Sequence, residues 1–307
     1  MIMLRVILIG VGIILLFIQH LLTKDVQFLL FMIGIIVLGI PHGAADMLVA
    51  GKSVATGHRT KQLYRFLLAY LVRLISFGML LYFFPLMGSM LFILFAAYHF
   101  GETDLHQFQT ETWSGKIFII SYGLLLLGVI ILQHFDEVMP LLASLSGEIG
   151  LSSQINFINE HRIFILCSLA ACFFLSTFIY FANNENADQG GRFLVQFGVV
   201  LLIVYQLPLL LGFTFYFVCW HSILSVTNIL RFLKQDRNFS MAYTAKQIVM
   251  YSVIAMAGIS ILGYLGMQWY SANGMIMSIF IGLAILTAPH MQIMYDMYKK
   301  IRQGEIN

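Results

Sequence analysis

Apolar runs long enough to cross a bilayer alternate with short polar breaks along the whole chain. They lie near residues 4 to 22, 26 to 50, 64 to 84, 87 to 102, 116 to 134, 162 to 182, 192 to 207, 210 to 230, 247 to 270 and 275 to 297. A bilayer core takes roughly 20 apolar residues per helix, so the pattern predicts an all-α polytopic membrane bundle of about ten helices. No stretch between them is long enough for a soluble domain, which makes residues 1–307 a single transmembrane domain. At "YQLPLLLGF", Pro208 and Gly212 separate the seventh and eighth runs by a tight turn or a kink. The opening "MIMLRVILIGVGIILLFIQHLL" is too long for a signal-peptide core and is followed by no A-x-A-like cleavage site, so it counts as the first helix.

Composition agrees. The 307 residues are 60% hydrophobic and 10% charged, with a mean hydropathy of +0.88, whereas a soluble domain carries about 25% charged residues. The formal net charge is +3 and no clustered basic tract suited to nucleic acid is present. Lys and Arg act instead as topology signals. Lys52, Arg59, Lys61 and Arg65, then Arg231, Lys234, Arg237 and Lys246, and finally Lys299, Lys300 and Arg302 fall on one side of a ten-helix arrangement. That side is expected to be cytoplasmic, with both termini inside a multi-pass protein of the inner membrane. Cys167, Cys172 and Cys219 sit in apolar runs without CxxC spacing and read as small buried apolar residues.

Four histidines interrupt the apolar runs: His42 in "GIPHGAAD", His99 in "YHFGETD", His221 in "YFVCWHS" and His290 in "LTAPHMQIMYD". An imidazole inside a membrane helix is costly, and its default reading is functional with a named partner. The bland alternative for each is a neutral ring bonded to a neighbouring helix. In the predicted topology all four helices run in the same direction. His42, His221 and His290 then lie roughly 12 to 15 Å from the cytoplasmic end, with His99 somewhat shallower. Four rings from helices near 26–50, 87–102, 210–230 and 275–297 can therefore meet in one layer. Asp46 follows His42, Glu102 and Asp104 follow His99, and Asp296 follows His290; these acids, with Asp46, Asp104 and Asp296 foremost, are candidates to accept the second ring N–H of a ligand histidine. His20, His58, His106, His134 and His161 lie at run ends or in loops and read as interfacial. Neutral imidazole suits iron, zinc or copper, and an all-histidine shell with open positions suits non-haem Fe(II) that binds O₂. Spacing leaves the metal open. Aromatic residues crowd His99 and His221; if they line a pocket, its ligand is long and apolar.

Taken together the four motifs resemble the Brp/Blh family of membrane β-carotene 15,15′-dioxygenases. "GIPHGAAD" is similar to the family's G-[IL]-P-H-G-x-x-D, "YHFGETD" to its H-F-G-x-x-D, "YFVCWH" to its aromatic run ending in histidine, and "GLAILTAPHM" to its G-L-A-x-L-T-x-P-H-M segment. The resemblance implies a metal-binding oxidoreductase that uses O₂ to cleave the central double bond of β-carotene or a related carotenoid to all-trans-retinal. It further implies an Fe(2+) centre and a functional link to a microbial rhodopsin. Carried over by position, the ligands are His42, His99 and His221. The family's fourth ligand lies four residues after the third, and here that position is Ser225. His290 is the candidate to compensate. The alternative that Ser225 favours is a non-catalytic carotenoid- or retinal-binding membrane protein. A proton-coupled transporter would string its titratable groups across the membrane rather than gather them at one depth. The HxxxH and HxxHH clusters of lipid desaturases are missing.

Overall fold

The computed structural model describes residues 2–52, 59–146, 152–183, 187–236, 239–267 and 274–303. Helices account for nearly all of them, and no strand occurs among the described residues. In chain order they are α1 (Ile2–Ile18), α2 (Lys24–Gly34), α3 (Ile40–Ala44), α4 (Asp46–Lys52), α5 (Arg59–Phe83), α6 (Pro85–Asp104), α7 (Trp113–Gln133), α8 (Phe135–Ser146), α9 (Ser152–Ala182), α10 (Ala187–Gln206), α11 (Leu209–Phe213), α12 (Ile223–Lys234), α13 (Met241–Met267) and α14 (Gly274–Gln303). Over their described residues the ten apolar runs fall largely on helix, and α8 is an addition that the pattern did not predict. Among the described residues seven helical stretches are long and apolar enough to cross a membrane. The other three runs lie on α6, α10 and α14.

Two of the spanning stretches are not plain α-helices. Between α2 and α3 the chain widens into a π-helical turn, Ile35–Gly39, and a longer one, Thr214–Ser222, joins α11 to α12. The first ends two residues before Pro41, which has no N–H to give and whose ring crowds the carbonyl four residues back, at Val37 within the turn. Widening the turn there relieves that clash. In the second, the Ser222 hydroxyl donates to the carbonyl of Phe217, five residues back, at 2.8 Å. Wide turns of this kind concentrate at functional sites, and these two carry the segments bearing His42 and His221.

α7 runs through the centre of the main core, and α6 crosses it closely because glycines leave room. A Cβ on Gly123 would stand 1.9 Å from the Ala97 carbonyl oxygen, and one on Gly101 would stand 2.2 Å from that of Ile119. Small residues at such crossings let membrane helices approach backbone to backbone. Phe108, Phe118, Phe173, Tyr180, Phe193 and Phe197 fill the space among α7, α9 and α10. A buried pair of hydroxyls, Ser121 and Ser176, bonds α7 to α9 at 2.6 Å. Large apolar side chains such as Phe17, Ile75, Phe164, Phe178 and Ile254 stand exposed on the outer helices. In water such patches would drive association; on a helical membrane protein they are the lipid-facing surface.

Candidate metal centre

The four intramembrane histidines meet. His42 comes from α3, His99 from α6, His221 from the π-helical segment and His290 from α14, and all are buried. One ring nitrogen from each of His42, His99 and His221 falls within 4.8 Å of the others. The ring centroids form a closed circuit: His42 to His221 5.4 Å, His221 to His99 4.8 Å, His99 to His290 4.8 Å and His290 to His42 5.1 Å. Successive rings stand near perpendicular.

Hydrogen bonding fixes which nitrogens face inward. The Ser222 hydroxyl uses its proton on the Phe217 carbonyl, so toward His42 Nδ1, 3.2 Å away, it accepts. The His42 proton therefore sits on Nδ1, which leaves Nε2 with its lone pair. His290 Nδ1 donates to Asp46 Oδ1 at 2.6 Å, and its Nε2 is buried with no hydrogen-bond partner. His99 Nε2 and His221 Nε2 lie 3.1 Å apart, while the Nδ1 atoms of both are buried and unpartnered. Two ring nitrogens 3.1 Å apart subtend about 95° at an ion with bonds of about 2.1 Å, the angle between neighbouring ligands of an octahedral site. The Nε2 atoms of His99 and His221 lie close enough to share one ion, and the unpartnered His290 Nε2 adds a buried nitrogen with no hydrogen bond to lose, whereas uncompensated polar atoms in an apolar core are otherwise expensive. The grouping can hold a metal ion.

Phe100, Tyr216 and Phe217 wall the cluster. Phe100 stands 4.6 Å from His221 ring to ring, and Phe217 lies 6.0 Å from His221 and 5.7 Å from His42. These side chains keep water from the ring nitrogens.

The three acids take different positions. Asp46 follows the turn at Ala45 that ends α3, and it reaches across to His290 rather than serving His42 on its own segment; Tyr70 donates to its other oxygen at 3.4 Å. Asp104 lies five residues beyond His99, about 140° round the helix, and points away from the rings. Its Oδ2 accepts from Tyr122 at 2.5 Å, Tyr216 at 3.0 Å and Trp220 Nε1 at 3.0 Å. Asp296 is six residues past His290, about 120° round, and is exposed, with Gln292 donating to it. The expected carboxylate–histidine contact thus forms at Asp46 and not at Asp104 or Asp296. Glu102, buried beside them, pairs with Arg302 at 3.3 Å. Ser225 is fully buried with its hydroxyl unpartnered. Of the histidines read as interfacial, His58 lies outside the described residues.

Sequence reasoning passed over Ser222 and Arg5. Ser222 had no signal beyond adjacency to His221. Arg5 had one, a guanidinium inside an apolar run. It is buried, and its Nη2 donates to the Asp104 carbonyl at 2.5 Å.

Fold and site together define a helical membrane protein built around a buried group of histidines able to hold a metal. The chain belongs to the beta-carotene 15,15'-dioxygenase family, whose model matches residues 33–298; its members are oxidoreductases. It is similar to the Beta-carotene 15,15'-dioxygenase of Uncultured marine bacterium 66A03, with 25% identity over 262 residues that cover 84% of this chain and 89% of that protein. No solved structure matches the chain.

Proposed function

We propose that the protein is a membrane dioxygenase that binds Fe(II) through His42, His99, His221 and His290 and cleaves the central double bond of β-carotene with O₂ to give all-trans-retinal. The observation that carries this reading is the gathering of ring nitrogens of His42, His99 and His221 within 4.8 Å of one another, with the His290 ring packed 5.1 Å from that of His42 and 4.8 Å from that of His99. Iron, when bound, supplies the O₂ chemistry. The protein positions and shields. Ser222 and Asp46 hold His42 and His290 in the tautomer that presents Nε2, as outer partners of metal-ligating histidines do. Phe100, Tyr216 and Phe217 keep the site dry, which protects reactive species from side reactions. An apolar polyene dissolves in the bilayer and reaches such a site laterally. His290 stands in for the ligand lost at Ser225, since a hydroxyl is a poor substitute for imidazole toward iron. In the cell the protein sits in the inner membrane with both termini cytoplasmic, and a microbial rhodopsin is the consumer that its retinal suits.

The test is retinal formation in β-carotene-producing bacteria expressing the chain, read by chromatography of extracted pigments with His42→Ala as control. Retinal from the wild type and none from His42→Ala is the expected result. Iron-loaded, well-expressed protein that leaves β-carotene intact would refute the assignment and favour the binding-only alternative that Ser225 suggests.

A further inference from the structure

We infer that Asp104 is the positioning residue for His221, clamping the π-helical segment Thr214–Ser222 to the end of α6; the inference rests on the metal-site reading above. A metal-bound histidine is ordinarily aimed by an acceptor on its second ring nitrogen. His42 and His290 have such partners, and His221 does not: its Nδ1 is buried without a hydrogen bond. Its ring is held by walls instead. Tyr216 and Phe217 stack on it at 6.4 and 6.0 Å, and Phe100 closes the other side at 4.6 Å. Two residues of that segment, Tyr216 and Trp220, are tied at 3.0 Å to the same oxygen, Asp104 Oδ2.

Asp104 ends the helix that carries His99. The carboxylate therefore links the two segments whose histidine Nε2 atoms stand 3.1 Å apart. It fixes their separation without touching either ring. Two further groups brace it. Tyr122 of α7 donates to the same oxygen at 2.5 Å, and Arg5 of α1 donates to the Asp104 backbone carbonyl. Arg5 brings a positive charge beside a carboxylate that would otherwise be stranded in an apolar interior. α1 lies outside the stretch matched by the family model, so this brace is carried on a part of the chain that the family pattern does not describe.

The experiment uses the full-length protein purified from membranes. Fe(II) affinity is measured by chelator competition, and the electron paramagnetic resonance spectrum of the ferrous protein with nitric oxide reports the ligand geometry. Tyr216→Phe and Trp220→Phe together are expected to weaken Fe(II) binding by about 10–100-fold, the usual cost of losing outer partners of a ligand, and to change the spectrum. Tyr122→Phe removes a donor from a helix that bears none of the four histidines. It should lower thermal stability and, because it loosens the carboxylate while both ties to the π-helical segment remain, weaken Fe(II) binding less than the Tyr216/Trp220 pair does; an equal loss would overturn the claim that those two ties do the positioning. In an Asp104→Asn background, which keeps an acceptor oxygen, iron should still bind. In an Asp104→Leu background the Tyr216/Trp220 pair should have no further effect. Wild-type affinity and spectrum in the Tyr216→Phe/Trp220→Phe protein would overturn the inference, and Tyr216→Phe alone, a single hydroxyl deletion, serves if the pair fails to fold. His221→Ala separates the two ideas. Iron retained in that variant sinks the metal site itself, whereas iron lost there but kept in the Tyr216/Trp220 pair sinks only the positioning role.

Discussion

Gly123→Ala tests whether the close crossing of α6 and α7 sets the metal site. The added methyl would stand 1.9 Å from the Ala97 carbonyl oxygen, where ordinary contact begins at 3.4 Å. A backbone carbonyl inside a helix cannot swing aside as a side-chain tip does, so the helices must part locally by about 1.5 Å, at a cost at or above the ~1–3 kcal/mol typical of an overpacked core. Ala97 lies two residues before His99 on the same helix. Carried onto the His99–His221 pair along its 3.1 Å line, that displacement gives about 4.6 Å, which pulls the closest pair of ring nitrogens in the cluster apart and weakens their hold on one ion. Both readouts should therefore fall together: a lower unfolding midpoint in detergent and a lower iron-to-protein ratio by elemental analysis. Gly258→Ala on α13 is the matched control. Nothing lies within 4 Å of its Cβ, so it should keep its iron and gain up to about 1 kcal/mol from helix propensity. A Gly123→Ala protein with wild-type midpoint and iron content would refute the claim that this crossing positions His99.

Three further outcomes follow from the same geometry. Asp46→Ala leaves His290 Nδ1 without its acceptor, so Fe(II) affinity should drop by about 10–100-fold in a chelator competition. Ser225→Ala removes a buried hydroxyl that has no partner and should leave iron content unchanged, whereas His290→Ala should lose iron; the reverse pattern would make Ser225 the ligand. His106, in the loop between α6 and α7, accepts no proton easily in the fold: burial lowers its pKa from 6.5 to about 4, against the Thr103 carbonyl bonded to its Nδ1. Between those values the unfolded chain binds more protons than the folded one, so its contribution is present above pH 6.5 and is lost as pH falls toward 4. The unfolding midpoint should therefore decline across that window less steeply in His106→Gln than in the wild type.

The histidines were legible in the sequence because their cost is local. An imidazole in an apolar run needs a reason wherever the run goes, and helix rise alone placed His42, His221 and His290 at one depth. The acids were legible only as candidates. Asp104 and Asp296 stand five and six residues beyond their histidines, spacings that carry a carboxylate to another face of a regular helix. Asp46, four residues on, would share a face with His42 in an unbroken helix, but the turn at Ala45 redirects it to His290.

What the sequence determined by itself was the class of protein and the four histidines that interrupt its apolar runs, since hydropathy and the expense of buried polar groups act residue by residue. What the tertiary structure decided was partnership: Ser222 with His42, Asp46 with His290, and Asp104 with Tyr216 and Trp220. These pairs depend on where each helix points around its axis and how closely it crosses its neighbours. Two π-helical segments, Ile35–Gly39 and Thr214–Ser222, shift the phase on which a 3.6-residue period relies, and glycines at the α6–α7 crossing set a separation that no spacing along the chain records.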